Sequence, residues 1–314
     1  MAFPNEVQHL IKTFSEGRGV DEKLLLIILA KWEPEKRQTF RKGCPDLFIK
    51  YECQFGHWLD DNIKRLEQEF LRFKNAIVSW TMHPWERDAR LAKKAMKDNR
   101  QSYLLVEIAC TRSSEELLGA RRAYHCLFDH SIEEDAAYCI EGNERKLLVA
   151  LVSAYRYDGK VINCEAAESD AKALNNAIKN VDKKSLIEDD EVVRVLTTRS
   201  KPHLKEVYEQ YKKIFGKNLD KDLDTDLRLK ETVQCLCTPH KYFIKVLDAS
   251  LKNDVDMKIK KALTRIIVTR ANTDIKQIRD EFQNIYGVAL TQKIEEIANG
   301  NYKDFLLTLI ANGN

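Results

Sequence analysis

The chain has 314 residues, which is enough for two ordinary domains or for one array of repeats. Its 52 basic and 49 acidic residues leave a net charge of +3, so it lacks the clustered basic excess typical of a nucleic-acid-binding protein. Glycine and proline together supply about 5% of the residues, against an average of about 12%, and this scarcity of turn formers favours long helices.

Apolar residues follow a helical period along most of the chain. Leu24, Leu25, Ile28 and Leu29 fall at i, i+1, i+4 and i+5, and Val192, Val193 and Leu196 repeat the start of that spacing. Apolar residues from Val207 to Phe215 also follow a helical period, at i, i+4, i+7 and i+8. Alternation typical of β-strands is nearly absent. The sequence therefore predicts an all-α protein.

Membrane-spanning and secretory segments are not expected. The longest wholly apolar run, Leu24–Ala30, is far shorter than the roughly 20 residues that a spanning helix needs. The first residues do not combine a basic start with a long apolar stretch, so we expect a soluble protein of the cytoplasm. The eight cysteines include no CxxC pair, which favours free thiols over a zinc site or a disulfide framework.

A short motif recurs three times. The segments Ala109–Ser113, Leu196–Ser200 and Ile267–Ala271 each carry Thr-Arg at their third and fourth positions. The three arginines are 87 and 71 residues apart, and an aromatic residue follows each of them by 12 positions, namely Tyr124, Tyr211 and Phe282. Self-similarity at a long period indicates a repeat architecture, whose units complete their cores by packing on one another. We predict four units of about five helices each, covering residues 1–83, 84–156, 165–238 and 239–314.

Four such units resemble the annexin family, and in detail its plant members. The resemblance covers almost the whole chain and is carried by Met82–Ala89, Leu147–Arg156, Leu263–Ala271 and Gly300–Leu307. It implies four annexin-type repeats in a right-handed superhelical array. It also implies a protein that binds acidic phospholipid membranes peripherally through Ca²⁺.

In that family a calcium loop offers backbone carbonyls from a Gly-x-Gly turn, together with one distant carboxylate. The segment Gly17–Glu22 fits this pattern, and Ca²⁺ takes six to eight oxygens of this kind. The ligands predicted from the resemblance are the carbonyls of Ser15, Gly17 and Gly19, the carboxylate of Glu69, and an accessory pair formed by the Val20 carbonyl and Glu22. Alternatively the glycines only turn the chain between two helices, Glu22 serves the helix dipole, and Gln68 occupies the carboxylate position.

The corresponding loops of the other three units lack glycine, so we expect their calcium sites to be lost. They are residues 96–101, 179–184 and 252–257, and Asp224 is the remaining distant acid of the third unit. Arg18 projects from the one intact loop, where its cation could contact a lipid phosphate directly. Five other basic residues occupy equivalent positions, and they could instead be ordinary solvated side chains: Lys97, Arg100, Lys183, Lys184 and Lys252.

The resemblance also places four charged residues at positions that line a polar channel in annexins: Asp88, Glu107, Arg112 and Arg270. Buried charges need partners, so a salt-bridged interface is one interpretation and ion conduction is the other. Residues 220–231 imitate an EF-hand, but Thr225 replaces the required glycine and the leucine spacing favours a continuous helix.

No catalytic motif is present, so we expect a binding protein and not an enzyme. Cys110 and the Cys235/Cys237 pair could meet in space, either as redox-sensitive or as inert buried thiols. The leading hypothesis is calcium-dependent binding to acidic membranes, mainly through the first loop. The alternatives are a calcium-independent helical scaffold that binds a protein such as F-actin, and an ion-conducting annexin. No nucleic-acid partner is expected.

Overall fold

The computed structural model describes residues 5–15, 18–31, 61–98, 101–153, 156–180, 185–252 and 257–313. Within these ranges every regular element is helical. The chain divides into two compact units, here called the terminal unit (Met1–Thr81 and Phe243–Asn314) and the central unit (Met82–Tyr242). The predicted all-α class is confirmed.

The helices fall into groups along the chain. The first group has α1 (Asn5–Ser15), α2 (Glu22–Lys31) and α3 (Asp61–Thr81). The second has α4 (Pro84–Lys97), α5 (Tyr103–Thr111), α6 (Ser114–Phe128), α7 (Ile132–Cys139) and α8 (Glu144–Val152). The third has α9 (Cys164–Lys179), a 3₁₀ turn (Leu186–Glu188), α10 (Asp190–Thr198), α11 (Lys201–Phe215), α12 (Leu219–Asp222) and α13 (Leu227–Cys237). The fourth has α14 (Pro239–Ser250), α15 (Met257–Arg270), α16 (Ile275–Tyr286), α17 (Leu290–Ile297) and α18 (Gly300–Ala311).

The Thr-Arg motif marks the end of the second helix of a repeat. Arg112 and Arg199 directly follow α5 and α10. The next residue begins the third helix: Ser113 accepts a hydrogen bond from the Glu116 amide in a capping box, and Ser200 accepts one from the His203 amide. The motif recurs because one short segment must both end a helix and start another.

The aromatic residue of each repeat anchors its core. Tyr124 and Tyr211 are 0% exposed and Phe282 is 2% exposed. Each lies in the third helix of its group. In all three groups that helix ends about one turn after the aromatic residue, at a C-cap residue with left-handed backbone: Asp129, Gly216 or Gly287. Three of the predicted repeats therefore show five helices each, while the predicted boundaries between them stay predictions.

Paired repeats complete one another's cores within each unit. In the central unit α5 packs against α13 and α10 packs against α8, so the second helix of one repeat meets the fifth helix of the other. The terminal unit repeats this arrangement, with α2 against α18 and α15 against α3. This reciprocal packing agrees with the division into two units, because the repeats of an array complete their cores against a neighbouring repeat.

Two cations cap helix ends across the pair of repeats in the central unit. Arg156 donates to the carbonyl oxygens of Leu196 and Arg199, both at 2.6 Å, and Lys201 donates to the Arg112 carbonyl at 2.5 Å. A positive charge at the C-terminus of a helix satisfies its last carbonyl groups. Burial lowers the pKa of Lys201 to about 8.

A polar tie joins three helices of the second repeat. The Asp135 carboxylate on α7 accepts hydrogen bonds from Lys93 of α4, at 2.6 Å, and from the Tyr124 hydroxyl of α6. Burial alone would raise the pKa of Asp135, but these two donors outweigh it and hold the pKa below its usual value. The third repeat has the same tie between Tyr211 and Asp222, at 2.8 Å.

We expect Asp135→Asn to destabilise the protein by about 2 kcal/mol at neutral pH, because charge-assisted hydrogen bonds are lost. A carboxyl group whose pKa is lowered by folding stabilises above the unfolded pKa, here near 3.8, and loses that contribution as the pH falls through the folded value. The difference in unfolding free energy between wild type and variant should therefore shrink on acidification. Denaturant unfolding across this pH range measures it. Glu134, the exposed neighbour, provides the control, because Glu134→Gln should leave the unfolding free energy nearly unchanged at every pH. A difference between wild type and Asp135→Asn that stays constant with pH would contradict the role assigned to Asp135.

Candidate functional site

Hydrogen bonds hold both described ends of the loop between α1 and α2. The Arg18 amide donates to the Thr13 carbonyl at 3.0 Å, which closes the end of α1. Gly19 has φ of 91°, in the left-handed region that favours glycine, and Val20 is only 4% exposed. The Asp21 carboxylate accepts the Leu24 amide at 3.0 Å and so caps α2, a role that the sequence analysis did not assign.

This loop is attached to the fourth repeat through Glu22. The Glu22 carboxylate accepts a hydrogen bond from the Asn301 amide, at 3.1 Å, in the first turn of α18. A Cβ atom on Gly300 would overlap Glu22 Oε2 and would lie 2.8 Å from the Val20 carbonyl oxygen. The structure thus brings together the two predicted accessory ligands, Val20 and Glu22, around the start of α18.

The other predicted calcium ligands are placed only in part. Ser15 is the last residue of α1, and Glu69 lies in α3, although its side chain is outside the described part of the chain. Gly17 also falls outside the described residues. Among the side chains that are described, no three His, Cys, Asp or Glu groups are close enough to hold a metal ion, and a loop of backbone carbonyls does not need such a group.

The remaining loops show polar groups that satisfy one another. In the second repeat the Asp98 carboxylate accepts the Gln101 side-chain amide at 3.0 Å. In the third repeat the predicted distant acid, Asp224, is paired with Lys230. Arg100, Lys183 and Lys184 of these loops, and residues 253–256 of the fourth, lie outside the described ranges. The predicted loss of these sites stays a prediction.

The carboxylates of the EF-hand-like segment tie helices of the third repeat together. Asp220 accepts the Tyr208 hydroxyl at 2.8 Å and the Gln234 amide at 3.0 Å, and Asp226 accepts the Leu229 amide at 3.0 Å as the cap of α13. The continuous helix expected from the leucine spacing is wrong, because α12 ends at Asp222 and α13 begins at Leu227. The leucine spacing spans two helices that are joined by a capped turn.

Three of the four predicted channel residues, Asp88, Arg112 and Arg270, occur in tightly paired charges. Arg112 donates to both carboxylate oxygens of Asp88, at 2.7 and 2.9 Å, and the two residues are 6% and 2% exposed. Burial disfavours the charged form of Arg112, but the attraction of the Asp88 carboxylate outweighs this effect and raises the pKa of Arg112 above its ordinary value. In the terminal unit Arg270 donates to both oxygens of Asp274, at 2.7 and 2.6 Å. Glu107, 1% exposed, adds a further buried carboxyl group near Arg112 in the central unit.

Two of the cysteines singled out above share one buried environment. Cys110 is 0% exposed and Cys237 is 9% exposed, and both lie near the Arg156 guanidinium. Burial raises the pKa of Cys110 to about 11 and that of Cys237 to about 12. Both are therefore protonated at neutral pH, which favours inert thiols, since the thiolate is the reactive form.

None of the helices described here combines the length and apolar character that a bilayer crossing requires.

The annexin family model matches residues 87–151, 169–228 and 245–309, one match in each of the three five-helix groups. The chain therefore belongs to the annexin family, and it is of the plant type. Annexins bind Ca²⁺ and, through it, attach peripherally to phospholipid membranes; they are generally binding proteins and not enzymes.

Annexin D4 of Arabidopsis thaliana is 48% identical over 317 residues, covering 99% of either chain. Among solved structures, annexin III aligns with a TM-score of 0.69 at 24% identity, covering 100% of this chain and 97% of its own. A calcium-bound annexin (Sm)1 aligns with a TM-score of 0.66 at 21% identity, covering 98% and 90%. These two structural likenesses show the fold.

Proposed function

We propose that this annexin attaches to acidic membranes mainly through the α1–α2 loop of its first repeat. The supporting observation is the left-handed backbone at Gly19, in the one Gly-x-Gly loop among the four. Glycine adopts this conformation without the strain that a side chain would cause, and the carbonyl oxygens of such a loop are ligands of the kind that Ca²⁺ takes. Ser15, Gly17 and Gly19 would contribute carbonyl oxygens, and Glu69 would contribute the carboxylate. Calcium, when bound, would supply the positive charge that attracts the phosphate groups of acidic lipids.

The accessory pair has a second task. Glu22 already accepts a hydrogen bond from the Asn301 amide, so its carboxylate also holds the loop against α18. We therefore expect Val20 and Glu22 to form the weaker of the two sites, and Glu22 to position the loop of the main one. Attachment of this kind needs no covalent chemistry. We expect the protein to reside in the cytoplasm and to associate peripherally with a membrane surface.

The test is a calcium titration of binding to vesicles that contain phosphatidylserine. Glu69→Gln is expected to abolish the calcium-dependent part of binding, because a neutral amide is a much poorer ligand for Ca²⁺ than a carboxylate. Glu209→Gln, an exposed position on α11, makes the same chemical change away from the loop and should titrate like the wild type. A wild-type calcium curve for Glu69→Gln would contradict the proposal.

The alternatives give different results. Vesicle binding that ignores calcium in the wild type, together with co-sedimentation with F-actin, would favour the helical scaffold. Conductance in planar bilayers that falls in Glu107→Gln would favour the ion-conducting role. Neither alternative has a specific contact in the described residues that favours it over the loop.

A further inference from the structure

The terminal unit contains a cavity of about 430 Å³ next to the α1–α2 loop. It is lined by Arg18 of that loop together with residues of α14, the two residues that follow α14, and residues of α16 and α17. Its floor is apolar, formed by Leu251, Phe282 and Ile297, which are at most 8% exposed. The volume falls in the range of small-molecule sites, and an apolar floor strengthens electrostatic attraction at the rim.

The described residues of the rim carry an excess of positive charge. Arg18, Lys252 and Lys293 supply three cations, and Asp248 and Glu296 supply two carboxylates, which leaves a net charge of +1. Arginine and lysine bring complementary geometries: a guanidinium can donate two parallel hydrogen bonds to a phosphate, while an ammonium acts as a compact point charge. The cavity wall therefore resembles a phosphate receptor more than a cation site.

The two lysines are held in place by weak, replaceable partners. Lys252 lies 3.5 Å from Asp248 and Lys293 lies 2.8 Å from Glu296, each within one helical turn. The side chains of the two pairs are 65%/35% and 39%/47% exposed. Pairs as exposed as these contribute little to stability, so both lysines can turn toward an entering anion at small cost.

We propose that this cavity binds a phosphate group without calcium, with Arg18, Lys252 and Lys293 as its cationic contacts. The phosphate group is expected to come from a lipid headgroup, because the proposed function brings the protein to a membrane. The inference rests on that function only for this source of phosphate. Phosphate binding in the cavity requires neither Gly17 nor Glu69. A headgroup held here would leave the protein with a calcium-independent contact beside the calcium loop.

The experiment uses the full chain with excess chelator at low salt, in two arms. The first arm measures binding to vesicles of phosphatidylserine and phosphatidylcholine, and the second measures uptake of inorganic phosphate by equilibrium dialysis. We expect Lys252→Gln and Lys293→Gln each to weaken binding about fivefold, as for one basic residue at an anionic surface. Arg18→Gln should weaken it about tenfold, because paired charge-assisted hydrogen bonds are lost.

Lys172→Gln is the matched control. Like the two cavity lysines, Lys172 pairs with a carboxylate one helical turn away, Glu168, at 2.6 Å, and the two side chains are 56% and 47% exposed. Lys172 differs in lying on α9 of the central unit, away from the cavity. Loss in the vesicle arm alone supports a lipid source, and loss in the dialysis arm supports a soluble phosphate compound. If the three cavity variants behave like Lys172→Gln in both arms, the proposal is wrong. Because no calcium is present, this result is independent of the Glu69→Gln titration, and equal unfolding temperatures verify that every variant folds.

Discussion

Asp88→Ala is expected to lower the free energy of unfolding by about 3–5 kcal/mol, the cost of leaving one partner of a buried ion pair uncompensated. Arg112 would lose both of its carboxylate contacts while it remained 6% exposed in the central unit. The damage reaches the partner repeat, because the Arg112 carbonyl also accepts the hydrogen bond from Lys201. Denaturant unfolding followed by circular dichroism measures the loss.

The same helix offers a matched control. Glu86 pairs with Arg90 at 2.8 Å, but the side chains are 36% and 47% exposed. Glu86→Ala should therefore cost less than about 1 kcal/mol, as expected of a surface pair. Equal losses in the two variants would show that burial does not set the value of the Asp88–Arg112 pair.

Gly300→Ala is expected to cost about 2–4 kcal/mol and to disturb the α1–α2 loop, the proposed calcium site. Gly300 has φ of 61°, which an alanine adopts only with strain, and the new Cβ atom would lie 2.8 Å from the backbone oxygen of Val20. The Glu22 carboxylate would also have to leave the Asn301 amide. The expected result is a lower unfolding temperature together with a calcium titration curve that differs from the wild type.

Gly287 provides the control for Gly300, because substitution there causes backbone strain without a steric clash. Its φ of 69° is similar, but apart from the residues next to it in the chain, no atom lies within 4 Å of the position that a Cβ atom would take. Gly287→Ala should therefore show only the backbone strain, about 1 kcal/mol, and an unchanged calcium response. A calcium response as strongly altered as in Gly300→Ala would mean that α18 does not position the loop.

The repeat architecture is predictable because its signals are local. Thr-Arg-Ser ends one helix and caps the next within five residues, and the aromatic residue that follows is buried by its own repeat. A local pattern of this kind is visible in the sequence before any long-range contact is known. The helix break between Asp222 and Leu227 is not visible in the sequence, because leucines on two helices and in the turn between them imitate one long period.

The partners of the site residues were not predictable, because they come from distant parts of the chain. Glu22 and Asn301 are 279 residues apart, and nothing near either residue indicates the contact. The cavity is hidden in the same way, since Arg18 and Lys293 share a rim only after two repeats pair. The roles of Gly17 and Glu69 depend on atoms outside the described part of the chain and stay predictions.

The pairing of the first repeat with the fourth has a consequence during synthesis. The central unit is continuous in sequence, so its core can close as soon as Tyr242 has left the ribosome. The segment Met1–Thr81 has to wait for Phe243–Asn314, its complement, and meanwhile exposes the apolar faces of α2 and α3. Nascent chains stalled after Tyr242 has emerged, but before Phe243–Asn314 is free to fold, should therefore recruit chaperones through Met1–Thr81 although the central unit is already folded.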